Sequence, residues 1–420
     1  MQTRFDALII GAGPAGSSAA ILLAMAGWSV GLVEKQSFPR RKVCGECLAA
    51  SNLPLLDALG IGAEFMAQAG PELRRVAVMR DKRCVIADLP PAIHPRHPWG
   101  RALGRETLDT LLLERARTLG VAIIQPWTVQ KVDGTAGDHR CTVHNVHSDR
   151  WDILHAPVAI FAHGSWEPLP GTRAIARRAR NGSDLLAFKA NFDRAILTTG
   201  VLPVLLFNGG YGGMVRADNG VVTVACCIRA DRLATLRLAS PGRPAGEVVE
   251  AMLRRECQGV AEALRGAQRS DVWLASGPLA PGVRLQSDEQ IFRIGNAAGE
   301  AHPIIGEGMS MALQSAWLLC ASLVRARKQH GITDSTAWQH GVHQNYAAEW
   351  RRHFVPRLRL AASFANLAMR PAASAALMAI LRRWPTLLTH GAAWAGKVHC
   401  APDATAVNAL FLQPLPGEHQ

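Results

Sequence analysis

Tyrosine is almost missing from this chain, at two residues among 420. With so little tyrosine for base stacking, and with none of the sequence signatures of DNA- or RNA-binding modules, nucleic acid is not an expected partner. Long apolar runs are missing too. No stretch reaches the ~20 residues that a membrane helix needs, so no transmembrane segment is expected. Paired metal-ligand spacings are absent: Cys44-Gly-Glu-Cys47 has CxxC spacing, but no second CxxC or HxxxH completes a set, and no metal site is expected. The nine cysteines are odd in number and scattered, which excludes a regular disulfide framework and fits reduced thiols. Acidic residues are in deficit, 33 against 46 Lys and Arg, for a net charge of +13. Arginines gather at 173–180 and 351–359. Such a surface suits plain solvation, an anionic substrate or an acidic protein partner.

What is present is a packed globular chain. Hydrophobic residues make up 49% and charged residues 19%, which excludes extensive disorder. The length suggests two or three domains sharing a large core. The opening, charged before Asp6 and apolar over 7–10, looks superficially like a secretory signal. A glycine turn and a helix follow it, so a cytoplasmic protein is expected. A strand over 5–10, an alanine-rich helix to about Gly27 and a second strand over 29–33 form the first βαβ unit of a doubly wound sheet. A helix over 106–119 precedes a strand at 121–125. Between 176 and 285 the pattern changes to strand-like runs at 201–207 and 221–227, the turn-rich Asn208–Gly213 and a helical stretch near 245–266. A strand at 291–294 and a long helix over 308–328 follow. Beyond 335 the chain reads as helices divided at Pro356, Pro371 and Pro385.

Three separated segments fit one cofactor. Gly11-x-Gly13-x-x-Gly16 lies between strand and helix, with Ala15 inside it and Glu34, then Lys35, at the end of the next strand. Gly11 permits the tight turn, Gly13 lets a pyrophosphate approach the backbone, and Gly16 lets the helix pack closely. Glu34 suits a free ribose 2′-hydroxyl, as in FAD or NAD. The helix N-terminus at Pro14 stabilises phosphate charge. The second segment is Gly295-Asn296-Ala297-Ala298-Gly299 followed by Gly306-Glu-Gly308-Met309 at a helix start, suited to the middle and flavin end of FAD. The third is Arg105, opening a helix where it can contact phosphate or the ribityl chain. His302, beside the second segment, is the candidate acid or base. Tyr211 is a candidate for orienting substrate.

These motifs resemble the FAD-dependent monooxygenases and reductases related to geranylgeranyl reductase, para-hydroxybenzoate hydroxylase and the flavin-dependent halogenases. Phe38-Pro-Arg-Arg-Lys-Val-Cys-Gly-Glu46 is similar to the FPRxKxCGE loop of the geranylgeranyl-reductase branch. Gly295–Gly299 is similar to that family's GDAAG segment, with Asn296 for aspartate. Ala162-His163-Gly164-Ser165 stands where many relatives have an aspartate-glycine pair. The resemblance implies an α/β fold: a glutathione-reductase-type Rossmann FAD domain (1–175 and 286–330, with an excursion near 70–100), a mixed-sheet substrate domain (176–285) and a C-terminal helical region (331–420). It implies FAD as cofactor, NAD(P)H or an external reductase as electron source, and O2 as co-substrate. The expected reaction is hydroxylation of a phenolic or polyketide-like substrate through a flavin C4a-hydroperoxide. Two alternatives stand beside it: hydroxylation of a tryptophan side chain in an acidic partner protein, and reduction of prenyl double bonds. Against reduction, Tyr211-Gly-Gly-Met-Val215 replaces the tyrosine-tryptophan-phenylalanine-proline segment of those reductases. Against halogenation, the chain has no Trp-x-Trp pair.

Overall fold

Short runs without a charge make the centre of the first sheet. Ala7–Ile10, Val30–Val33 and Val158–Phe161 are buried at every residue, as strands covered on both faces must be. The computed structural model describes residues 2–165, 181–285, 290–330, 335–393, 402 and 404–411. In it these strands join a five-stranded parallel sheet in the order Phe292–Arg293, Val158–Phe161, Ala7–Ile10, Val30–Val33, Ala122–Ile124. Ala7 sits opposite both Val30 and Val158. Helices Pro14–Met25, Arg105–Thr118 and Gly308–His330 cover one face. An antiparallel layer of Trp127–Thr135, Asp138–Asn145 and Trp151–Ala156 covers the other. That layer mixes His, Arg and Asp into its strands, so its apolar periodicity is faint in sequence.

The second sheet has eight strands and mixed directions. Val201–Phe207 runs parallel to Arg75–Arg80, which pairs in turn with Arg83–Asp88. Gly210–Arg216, Val222–Arg229 and Leu185–Asp193 continue it antiparallel. Helices Ala230–Leu238, Ala245–Glu256 and Gln258–Ala263 pack on one face. The C-terminal helices pack on the other through Ala365, Ala368, Met378 and Leu381. Successive residues of a strand point to opposite faces, so the adjacent Cys226 and Cys227 enter different cores.

Three expectations are corrected. Asn208–Gly213 is less a turn than the start of strand Gly210–Arg216; at Gly212 a Cβ would stand 2.8 Å from the Cys226 Cβ, so only glycine fits there. The helical stretch near 245–266 breaks at Cys257, whose φ of −138° and ψ of 104° are extended. Pro356 does not divide the chain, because helix Ser335–Met369 runs through it. Arg352 and Pro356 are both exposed, so the carbonyl left without an N–H donor faces water. Pro371 and Pro385 do mark breaks, before or at the start of Pro371–Arg383 and Thr386–Ala392. Helix Gly308–His330 is long and apolar enough to cross a membrane by length and composition alone, but 72% of its most apolar stretch is buried inside the protein, as in a core helix, so it makes no clear transmembrane segment. The 173–180 arginine cluster lies outside the described residues.

Candidate active site

Residues from both sheets line one cavity of about 1420 Å³. That exceeds the ~300–1,000 Å³ of an ordinary small-molecule pocket, so it has room for more than one ligand. At its floor the glycines divide the work. Gly11 has φ +104°, and a Cβ there would stand 2.7 Å from the Ala162 carbonyl oxygen. At Gly16 a Cβ would lie 1.8 Å from the Gly11 oxygen, so Gly16 sets helix–strand packing and does not line the cavity. Gly13 has an ordinary φ of −72°. The nearest atoms to a Cβ there are guanidinium nitrogens of Arg105 and Arg40, at 3.7 and 3.8 Å. Its missing side chain leaves space in the cavity itself. Ala15, Lys35, Gly306, Gly308 and Met309 also line this wall. Glu34 is held at its strand end by accepting from Ala12 N at 2.9 Å and Gln36 N at 3.0 Å.

Positive charge surrounds the turn. Arg105 donates Nε and Nη2 to the two carboxylate oxygens of buried Asp109, each at 2.7 Å. Burial opposes the Arg105 charge, but the Asp109 carboxylate outweighs it and holds the guanidinium well above its ordinary pKa. Arg40 lies 3.5 Å from both Glu34 and Asp109. Its Nε and Nη1 are buried with no hydrogen-bond partner among the described residues, and burial pulls its pKa down against those carboxylates. Lys42 is pulled down to about 8, by burial first and then by Arg40. Orphaned donors beside an uncovered glycine turn are what an anionic pyrophosphate would satisfy. Open space around Gly306, at φ +68°, and around Gly308 forms a second cradle at a helix N-terminus, where the helix dipole favours negative charge. Asn296 donates Nδ2 to Ser165 at 2.7 Å. The residues present therefore fit FAD. Arg40 and Lys42, both within Phe38–Glu46, had no assigned role in sequence, though two adjacent arginines before a lysine beside Glu34 carried the signal.

A buried strut ties this wall to the second sheet. Glu46, at φ +60°, accepts from Lys189 Nζ, from Thr223 Oγ1 and from Arg105 N at 3.0 Å. Glu46, Lys189 and Thr223 are each 2% exposed or less.

The cavity then turns apolar. Val204 and Leu206 line it from the second sheet, and Phe364, Leu377 and Leu381 from the C-terminal helices. Tyr211 lines this arm, 1% exposed. Burial holds its hydroxyl far above the usual tyrosine pKa, so it stays neutral. Its oxygen is 3.2 Å from His302 Nδ1. His302 is not among the described residues that line the cavity; Ala301 and Pro303 on either side are. It reaches the space through Tyr211, and burial lowers its pKa.

Residues 4–335 match the family model described as FAD binding domain. The chain belongs to that family. It is an FAD-dependent oxidoreductase, with FAD as its cofactor. Among curated relatives, the menaquinone reductase of Mycolicibacterium smegmatis is 28% identical over 364 residues, 83% of this chain and 82% of that protein. Conditioned medium factor receptor 1 of Dictyostelium discoideum is 24% identical over 368 residues, 79% of this chain and 66% of that protein. Among solved structures, the myxobacterial chondrochloren halogenase CndH superposes with a TM-score of 0.71 at 18% identity, covering 98% of this chain and 96% of that one. A shared fold is what that last likeness shows.

Proposed function

We propose that this flavoprotein is a monooxygenase that hydroxylates an electron-rich aromatic ring carried on an apolar body. The observation that supports it is the second arm of the cavity, where apolar side chains from both walls stand beside the buried, neutral hydroxyl of Tyr211. When bound, FAD supplies the redox chemistry, with NAD(P)H or an external reductase as electron source and O2 as co-substrate. Residues 1–175 and 286–330 hold the cofactor, 176–285 with the strands at 75–88 face the substrate, and the helices from 331 onward cover it. Gly11, Gly13 and Arg105 receive the pyrophosphate region, Glu34 the ribose, and Asn296, Gly306 and Gly308 the ribityl and flavin end. His302, protonated at Nδ1, donates to the Tyr211 oxygen, and Tyr211 donates to the ring oxygen of the substrate. That chain fixes the ring while the apolar arm excludes water.

Reduction of a prenylated substrate is the second reading, favoured by the likeness to a menaquinone reductase across most of both chains and by the same apolar arm. Oxygen-18 gas separates the two. Turnover of an alkylphenol under 18O2, with a chemical or enzymatic reductant, should place one labelled oxygen in the product. Saturation of a prenyl double bond, a gain of two hydrogens in the side chain with no label incorporated, would replace hydroxylation by reduction.

A further inference from the structure

Between Glu349 and Asp403 the chain has no acidic residue, while Arg351, Arg352, Arg357, Arg359, Arg370, Arg382 and Arg383 fall within that stretch. Helix Pro371–Arg383 lies in it and is apolar on two sides. Its inner side carries Leu377 and Leu381, which line the cavity, and Met378, which is fully buried. Its outer side carries Ala372, Ala376 and Ile380, four residues apart and all exposed, a spacing that aligns them along one helical stripe. Trp384 and Leu387 extend the apolar surface beyond the helix end. Exposure reaches 45% at Ile380, 53% at Trp384 and 46% at Leu387. Arg382 and Arg383 are exposed beside them, and the Arg383 guanidinium sits 5.5 Å from the Trp384 ring centroid.

A soluble helix normally has one apolar stripe, turned inward. A second stripe, ending in a tryptophan and flanked by arginines that have no counter-charge among the described residues, has the composition of a helix lying in a membrane interface. Apolar side chains enter the acyl boundary there, Trp occupies the headgroup level, and arginine meets lipid phosphate. We infer that the outer face of 371–388 docks on an anionic phospholipid bilayer. An acidic polypeptide is the competing occupant, and competition by polyglutamate is the outcome below that would select it. Docking through this face does not depend on the reaction proposed above, and its test needs no substrate.

The test is flotation of the flavin-loaded, full-length protein with vesicles of phosphatidylcholine alone or mixed with phosphatidylglycerol. The expected result is binding to the mixed vesicles, weakened by salt, and little binding to phosphatidylcholine. Each arginine near such a surface contributes ~1 kcal/mol, so Arg382→Glu with Arg383→Glu should lower partitioning tenfold or more. Ile380→Ser with Trp384→Ser should lower it by about tenfold. All four side chains are exposed, so melting temperature and flavin content should hold in both variants. Absence of binding at low salt overturns the inference. So does binding that the Ile380/Trp384 pair leaves unchanged while polyglutamate competes for it, which would assign the arginines to an acidic polypeptide. A wild-type dimer that the same pair converts to monomer, without vesicle binding, would assign the face to a second copy.

Discussion

At one end of the cavity the wall is cationic: Lys35, Arg40, Lys42 and Arg105 ring the glycine turn, and buried donors of Arg40 lack partners among the described residues. At the other end the wall is Val, Leu and Phe, and Tyr211 brings a hydroxyl whose neighbour is His302. The difference shows how one cavity can keep two ligands in order. Desolvating the cationic end costs free energy unless an anion arrives, whereas the apolar end gains from any hydrocarbon it covers. A dinucleotide and the apolar substrate proposed above would therefore sort themselves between the two ends. The Glu46–Lys189 pair makes a junction of another kind, tying Glu46 on the cationic wall to Lys189 on strand Leu185–Asp193 of the second sheet.

The junction gives the largest expected effect. Removing one member of a buried ion pair leaves the other charge uncompensated, at a cost of about 3–5 kcal/mol. Lys189→Ala should lower the urea midpoint accordingly, and Glu46→Gln with Lys189→Met should recover most of it. Equal losses in single and double variants would show that the pair acts only through packing.

The glycine turn comes next. Gly13 needs no unusual backbone angle, so Gly13→Val should leave the flavin-free protein folded. Its branched side chain would fill the space below Arg40 and Arg105, an overpacking of about 1–3 kcal/mol, or roughly 10- to 100-fold in FAD affinity. Unchanged flavin occupancy in that variant would remove the turn from the site. Gly16→Ala should behave in the opposite way and lower stability first, because its Cβ meets the Gly11 carbonyl.

Lys42 gives the smallest effect. Its pKa falls from 10.5 to about 8 through burial first, with Arg40 adding to it. Between those values the unfolded chain keeps a proton that the folded chain has released, so stability of the flavin-free protein rises as pH climbs past about 8. Bound pyrophosphate favours the ammonium and should flatten that rise, and Lys42→Met should abolish it. Melting temperatures taken across this range, with and without FAD, check the sign.

The two ends also differ in how well sequence reveals them. The glycine turn and Glu34 are legible because a strand, a turn, a helix and the next strand follow one another within 34 residues, and each glycine answers a local steric demand. The apolar arm is not. Val204, Leu206, Tyr211, Leu377 and Leu381 come from segments far apart in the chain, and each looks like ordinary core in its own helix or strand. Glu46 and Lys189 are 143 positions apart, and no local pattern announces their pairing. His302 is legible as a histidine near the flavin segment, but only the fold shows that Tyr211 stands between it and the cavity.

The central claim is that the second arm holds an apolar substrate beside FAD, and a homologous series of para-alkylphenols tests it most directly. Their binding to the flavin-loaded protein can be followed by the perturbation of flavin absorbance. Each methylene taken from water into the arm contributes ~0.8 kcal/mol, so affinity should tighten roughly fourfold per added carbon until the arm is full. Leu377→Trp, narrowing the arm, should end that gain at a shorter chain. Affinity that does not change with chain length, at full flavin occupancy, would contradict the account.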